Sequence, residues 1–184
     1  FDHGQNMIDL TNLVPFDIAV PGNHEFDFGP ENFVEKEKVS KYPWAALNIT
    51  NGDGSAVEGL GGTIMKEVAG IKVALVPVDQ DTSPEVSSTG DLKFTSTVDA
   101  AIDGARAARK DGADIVVVVV QGNHAYDREI MASHAADGIT AGDAHDDLTG
   151  GDGIPDTVES EVDAHARSHR APHATASAAD GTRT

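Results

Sequence analysis

The run ADIVVVVVQ at residues 113–121 constrains the fold more than any other stretch of this 184-residue chain. Consecutive β-branched residues leave no polar face, which is the pattern of a strand covered on both sides. Such strands belong to layered α/β architectures, and the flanking patterns supply the layers. Residues 97–112 place Val98, Ala101, Ile102, Ala105 and Ala108 on one helical face. Met7, Leu10 and Leu13 fall at helical spacing ahead of Pro15, and Pro30 opens a helix predicted over 30–41. Short strands are expected at FDIAV (16–20) and WAALNIT (44–50), with two more in 61–78 around a turn at Ala69 and Gly70. A further helix is expected over 126–136, then a short strand entering a polar loop over 138–147. The expected class is α/β, with a mixed sheet or two sheets.

Polar residues collect just past three of these strands, at 22–27, 121–127 and 142–147. Open α/β folds bind ligands along that edge. The densest cluster is GNHEFDFG, residues 22–29. An Asn side chain offers a hard, neutral oxygen to a divalent cation, and an adjacent imidazole can donate to a phosphate. A carboxylate three residues on can accept from the other ring nitrogen and fix the tautomer. Gly22 reads as the residue that permits the turn. The bland alternative is a capped turn carrying a surface histidine.

Charge narrows the partners. Asp and Glu outnumber Lys and Arg 31 to 13, for a net charge of −18. That field repels nucleic acid and anionic membranes, attracts divalent cations, and suits a high-salt setting. The absence of cysteine excludes disulfides and thiolate zinc sites. No apolar run reaches 18 residues, and Phe1 opens mid-pattern, so a fragment is expected. Past residue 148 the composition turns to Ala, His, Arg, Ser and Thr with few large apolar residues. Two regions are therefore expected: a domain over 1–148, and an acidic linker with a disordered tail over 149–184.

GNHEFDFG resembles the Gly-Asn-His-Glu block of the calcineurin-like metallophosphoesterases. The longer MIDLTNLVPFDIAVPGNHEFDFGPENF is similar to the bacterial 5′-nucleotidase and UDP-sugar hydrolase branch. The likeness runs from about residue 4 to 148 and takes in ADIVVVVVQGNHAYDREI and GITAGDAHDDL. It implies a partial, layered β-sandwich flanked by helices, and hydrolysis of a small-molecule phosphate ester such as a nucleotide. It also implies divalent metal ions, with Mn²⁺, Mg²⁺, Zn²⁺ and Ca²⁺ all open. By the same resemblance Asn23 is a metal ligand, His24 the transition-state donor and Asp27 the group that orients His24. Export to the periplasm or the outside is the family habit; compartment and oligomeric state are not fixed by these residues.

The remaining ligand positions depart from the family pattern. Gln121 stands where a His is expected, and His124, three residues on, is either a loop residue or a substitute ligand. In place of Gly-His-x-His the chain reads GDAHDD, putting Asp143 and His145 at the two ligand positions. Each is a ligand or part of an acidic turn; aspartate suits the harder cations. The family's Asp-x-His and the Gly-Asp that bridges two metals do not occur at the expected place before residue 20. The expectation is a site truncated at its N-terminal side and impaired in this chain. The rival is a non-catalytic, decayed relative whose acidic surface binds Ca²⁺ or a protein partner.

Three weaker features remain. GGDGIPDTVE (150–159) matches a calcium loop at Asp152, Gly153, Asp156 and Glu159 but has Leu148 and Gly150 at its first and third positions. It is a calcium site or an acidic linker. His165, His169 and His173 recur every four residues, but Pro172 interrupts a shared helix. GLGGT (59–63) has no helix behind it and reads as a hairpin connection, not a phosphate cradle. No Gly-x-Ser-x-Gly elbow or P-loop pattern occurs.

Overall fold

The structure is a computed structural model and describes residues 2–122 and 124–142. Its main sheet has four strands, β4 (Ile64–Val68), β5 (Ile71–Asp79), β7 (Ile115–Gln121) and β8 (Gly138–Ala141), side by side in that order. β4 and β5 form the antiparallel hairpin, turning at Ala69 and Gly70 as the sequence indicates. β5, β7 and β8 run parallel. Parallel neighbours need a crossover, and α4 (Thr97–Lys110) and α5 (His124–Ala132) provide the two.

The valine run is the centre of this layer. Val116, Val118 and Val120 are buried, while Val117, Val119 and Gln121 on the other face are half-buried. Val76 and Val78 of β5 join the same core. On α4 the buried face is Ala101, Ala105 and Ala108, small residues that let the helix lie close on the sheet. Each fully buried valine contributes on the order of 1.5–3 kcal/mol. Ser96 caps α4, its Oγ accepting from the Asp99 amide at 3.2 Å.

A second core is aromatic. Phe26, Phe33, Tyr42 and Trp44 are buried with Ile8, Ile49 and Val57. Phe26 meets Phe33 at 5.5 Å and Phe94 edge-on at 5.7 Å. Helix α1 (Gln5–Thr11) and α2 (Pro30–Val39) pack at this end, α2 opening on its proline. Short pairings complete it: β1 (Trp44–Ala45) lies parallel to β3 (Leu60–Gly61), and β2 (Ile49–Thr50) antiparallel to β6 (Lys93–Phe94). A short helix, α3 (Ser83–Val86), follows β5.

Two expected strands differ. FDIAV forms no ladder; its one bridge joins Ala19 to Trp44, with the Ala19 amide on Pro43 O and the Ala45 amide on Ala19 O, each at 2.9 Å. The stretch 44–50 divides into β1 and β2 because its amides change partner, from Gly61 O at Ala46 to Pro77 O at Leu47. Among the described residues no helix is long and apolar enough to cross a membrane.

Candidate functional site

After the extended segment 16–21, Asn23–Phe26 coils into one 3₁₀ turn. The Glu25 carboxylate reaches back to accept the Gly22 amide at 2.7 Å, which closes the turn. Burial raises the Glu25 pKa above the ordinary carboxylate value, and the Gly22 amide opposes that shift. Phe26 pins the turn into the aromatic core with no exposed surface. Gly29, at φ 88°, ends the loop and starts α2. That is a backbone position glycine favours.

Gly22 has another reason for being glycine. Its backbone is extended, at φ −114° and ψ −174°, so the turn does not require it. The requirement is space: a Cβ at Gly22 would lie 2.8–2.9 Å from Gln121 side-chain atoms. The loop and the end of β7 meet through that contact. Gln121 Oε1 also lies 3.4 Å from where a Cβ of Gly142 would sit, just past β8.

His24 and Asp27 pair as the spacing suggests, Nδ1 to Oδ2 at 2.9 Å. Their side chains are 64% and 39% exposed, so the bond contributes little to stability and its use is orientation. Asn23 Oδ1 accepts from Gln80 Nε2 at 3.2 Å. Ser87 Oγ donates to the Asn23 carbonyl at 2.6 Å and lies 3.1 Å from Asp27 Oδ1. Asn23, His24, Asp27 and Gln121 therefore share one edge of the sheet. Asp143 and His145, the 150–159 loop and the tail histidines lie outside the described residues, as does the side chain of His124.

Beneath this edge is a buried polar network that the sequence reading misses. Asp79 ends β5, directly across from Gln121 in the ladder, and has no exposed surface. Its Oδ1 accepts the Gln80 amide at 2.7 Å and its Oδ2 lies 3.1 Å from Ser83 Oγ. Asn48 exchanges two hydrogen bonds with the Asp79 backbone, and Thr97 Oγ1 donates to the Asp79 carbonyl. Desolvation pushes the Asp79 carboxyl up to about 8, with the Glu25 and Asp81 charges adding to the rise. Tyr126 donates to Asp81 at 2.7 Å and closes the network from α5. The signal is DQDTS at 79–83, polar residues past a strand end like those at 22–27, 121–127 and 142–147.

A metal is tested by the donors themselves. Asn23 and Gln121 offer neutral amide oxygens, which do not offset a dication's charge. Among the described residues no three His, Asp or Glu side chains gather closely enough to hold an ion. The amides fit as two members of a larger donor set and not as a complete one.

The layered α/β sheet with polar loops at one strand edge is the fold of the calcineurin-like phosphoesterases. A calcineurin-like phosphoesterase from Bacillus subtilis superposes with a TM-score of 0.61 at 16% identity, over 73% of this chain and 47% of that one. Within that class the resemblance is to the 5′-nucleotidase branch. An apyrase from Tabanus yao is 31% identical over 160 residues, 85% of this chain and 29% of the apyrase. A 5′-nucleotidase-related protein from Glossina morsitans morsitans is 26% identical over 122 residues, 65% of this chain and 22% of that protein. The NAD nucleotidase of Haemophilus influenzae superposes with a TM-score of 0.71 at 26% identity, over 78% of this chain and 29% of that one. The chain thus spans under a third of the length of each of these last three relatives. No protein-family profile matches it.

Proposed function

We propose that this chain carries the phosphate-facing part of a metal-dependent phosphoric ester hydrolase of the 5′-nucleotidase type, acting on small nucleotides. The observation that carries the reading is the His24–Asp27 pair beside Asn23 and Gln121 at the strand edge of this fold. Apyrase, 5′-nucleotidase-related protein and NAD nucleotidase among the relatives support a nucleotide as substrate. Asn23 and Gln121 would hold a divalent ion together with Asp143 and His145. When bound, the ion supplies Lewis acidity toward a phosphoryl oxygen. Asp27 accepts a hydrogen bond from Nδ1 of His24 and orients the ring, and the protonated imidazole would donate from Nε2 to the charge that develops on phosphate or leaving group. An exported compartment, periplasmic or extracellular, fits the same reading.

Hydrolysis of p-nitrophenyl phosphate and AMP by the 184-residue chain with Mn²⁺ tests it. His24→Ala lowers the rate by about 10²-fold or more; equal rates in parent and variant remove His24 from the chemistry. A second reading, a non-catalytic cation binder, is favoured by Gln121 and Asp143 standing where the family carries histidines. Calorimetry with Mn²⁺ and Ca²⁺ separates the two. Binding lost on Asn23→Ala belongs to the phosphoesterase edge, and binding lost on Asp152→Ala or Glu159→Ala belongs to the acidic loop.

A further inference from the structure

The loop that leaves β5 contributes nothing to the sequence motif, yet it touches Asn23 twice. Gln80, only 8% exposed, donates from Nε2 to Asn23 Oδ1 at 3.2 Å. Ser87, seven residues on, donates from Oγ to the Asn23 carbonyl at 2.6 Å and lies against Asp27 Oδ1. An amide side chain turns over easily, presenting either its oxygen or its NH₂ outward, and only its neighbours decide which. A donor on Oδ1 fixes that choice, and a donor on the main-chain oxygen fixes where the residue sits.

The main chain of Gln80 is itself fixed. Its backbone N–H donates to the buried Asp79 carboxylate, whose own backbone is clamped by Asn48 and Thr97. Across the ladder the neighbour of Asp79 is Gln121. One buried network thus carries both the group that orients Asn23 and the strand end that bears Gln121.

We propose that Gln80 and Ser87 are positioning residues: they orient the Asn23 amide so that its oxygen is presented in a single direction. The proposal rests on the phosphoesterase reading for its use, but the orientation itself exists without a metal. That separation defines the test.

Gln80→Met keeps the buried volume and removes the donor; Ser87→Ala removes the hydroxyl, and Ser87→Thr restores it. The first readout is the pair of Asn23 side-chain NH₂ resonances in the ¹⁵N-labelled, metal-free full chain, assigned by their loss in Asn23→Ala. The second is Mn²⁺ affinity by calorimetry. Urea midpoints within error of the parent establish that each variant is folded; Ser87, being half-buried at the surface, is the variant that keeps the test alive if Gln80→Met is not.

The expected result is a shift and broadening of the Asn23 resonances in Gln80→Met and Ser87→Ala, parent-like resonances in Ser87→Thr, and Mn²⁺ affinity about 5- to 10-fold weaker in the first two, the worth of one neutral hydrogen bond. Unmoved Asn23 resonances overturn the proposal whatever the metal does. Moved resonances with unchanged Mn²⁺ affinity also overturn it, provided Asn23→Ala weakens binding. If Asn23→Ala leaves Mn²⁺ binding unchanged, the phosphoesterase reading has failed on its own, and the metal-free arm alone decides for or against the orientation.

Discussion

Asp79→Asn isolates the energetic cost of the buried carboxyl under the site. The folded carboxyl titrates at about 8 against an ordinary value of 3.8, because burial disfavours the charged form. Above pH 4 the unfolded chain has released this proton while the folded chain retains it. The folded state therefore binds more protons, and stability falls as pH rises, by about 1.4 kcal/mol per pH unit, until the folded group ionises near 8. Between pH 5 and pH 8 the loss from this one group is about 3–4 kcal/mol. Asparagine is nearly isosteric and does not titrate. Ser83 Oγ donates to Asp79 Oδ2 across 3.1 Å; with an Asn NH₂ in that place the hydroxyl rotates and accepts instead. The parent and variant should thus be of similar stability at pH 5 and diverge steadily above it, with the variant the more stable at pH 8. The assay is urea unfolding at half-unit pH intervals. With a slope of roughly 2 kcal/mol per molar, the midpoints separate by on the order of 1.5 M across the range. Taking the difference between two proteins cancels the general repulsion of a chain at −18. Parallel stability curves for parent and variant would refute the reasoning.

Three further outcomes follow from packing. Phe26→Ala removes the aromatic anchor of the 3₁₀ turn and should cost about 3–5 kcal/mol in chemical unfolding. Gly22→Ala is compatible with the extended backbone but collides with Gln121; it should cost about 1–3 kcal/mol by the same assay, and Gln121→Ala in the same chain should restore most of it. Ser96→Ala removes the α4 cap and should cost about 1 kcal/mol. A null effect would assign the Asp99 amide to solvent.

What the sequence shows follows from how local each pattern is. The valine run, the alanine face of α4 and the α2 proline are read from neighbours a few residues apart, and all three stand where expected. FDIAV has strand composition but meets a single bridging partner, and the division of 44–50 depends on carbonyls at 61 and 77 that no periodicity reveals. At the site the same distinction holds. His24 and Asp27 are three residues apart and their pairing is legible; the bonds of Gln80 and Ser87 to Asn23 span 57 and 64 residues. Gly22 shows how a correct residue can carry a wrong reason: its constraint comes from Gln121, far away in the sequence and adjacent in the fold.

That constraint has a consequence for how such an edge changes over generations. Position 121 projects into a slot with bare main chain at residues 22 and 142 on its flanks, so the slot fixes the width available and leaves the chemistry open. A lineage can exchange one planar polar group for another there without moving a strand. The backbone behaves as a socket whose fitting is replaceable.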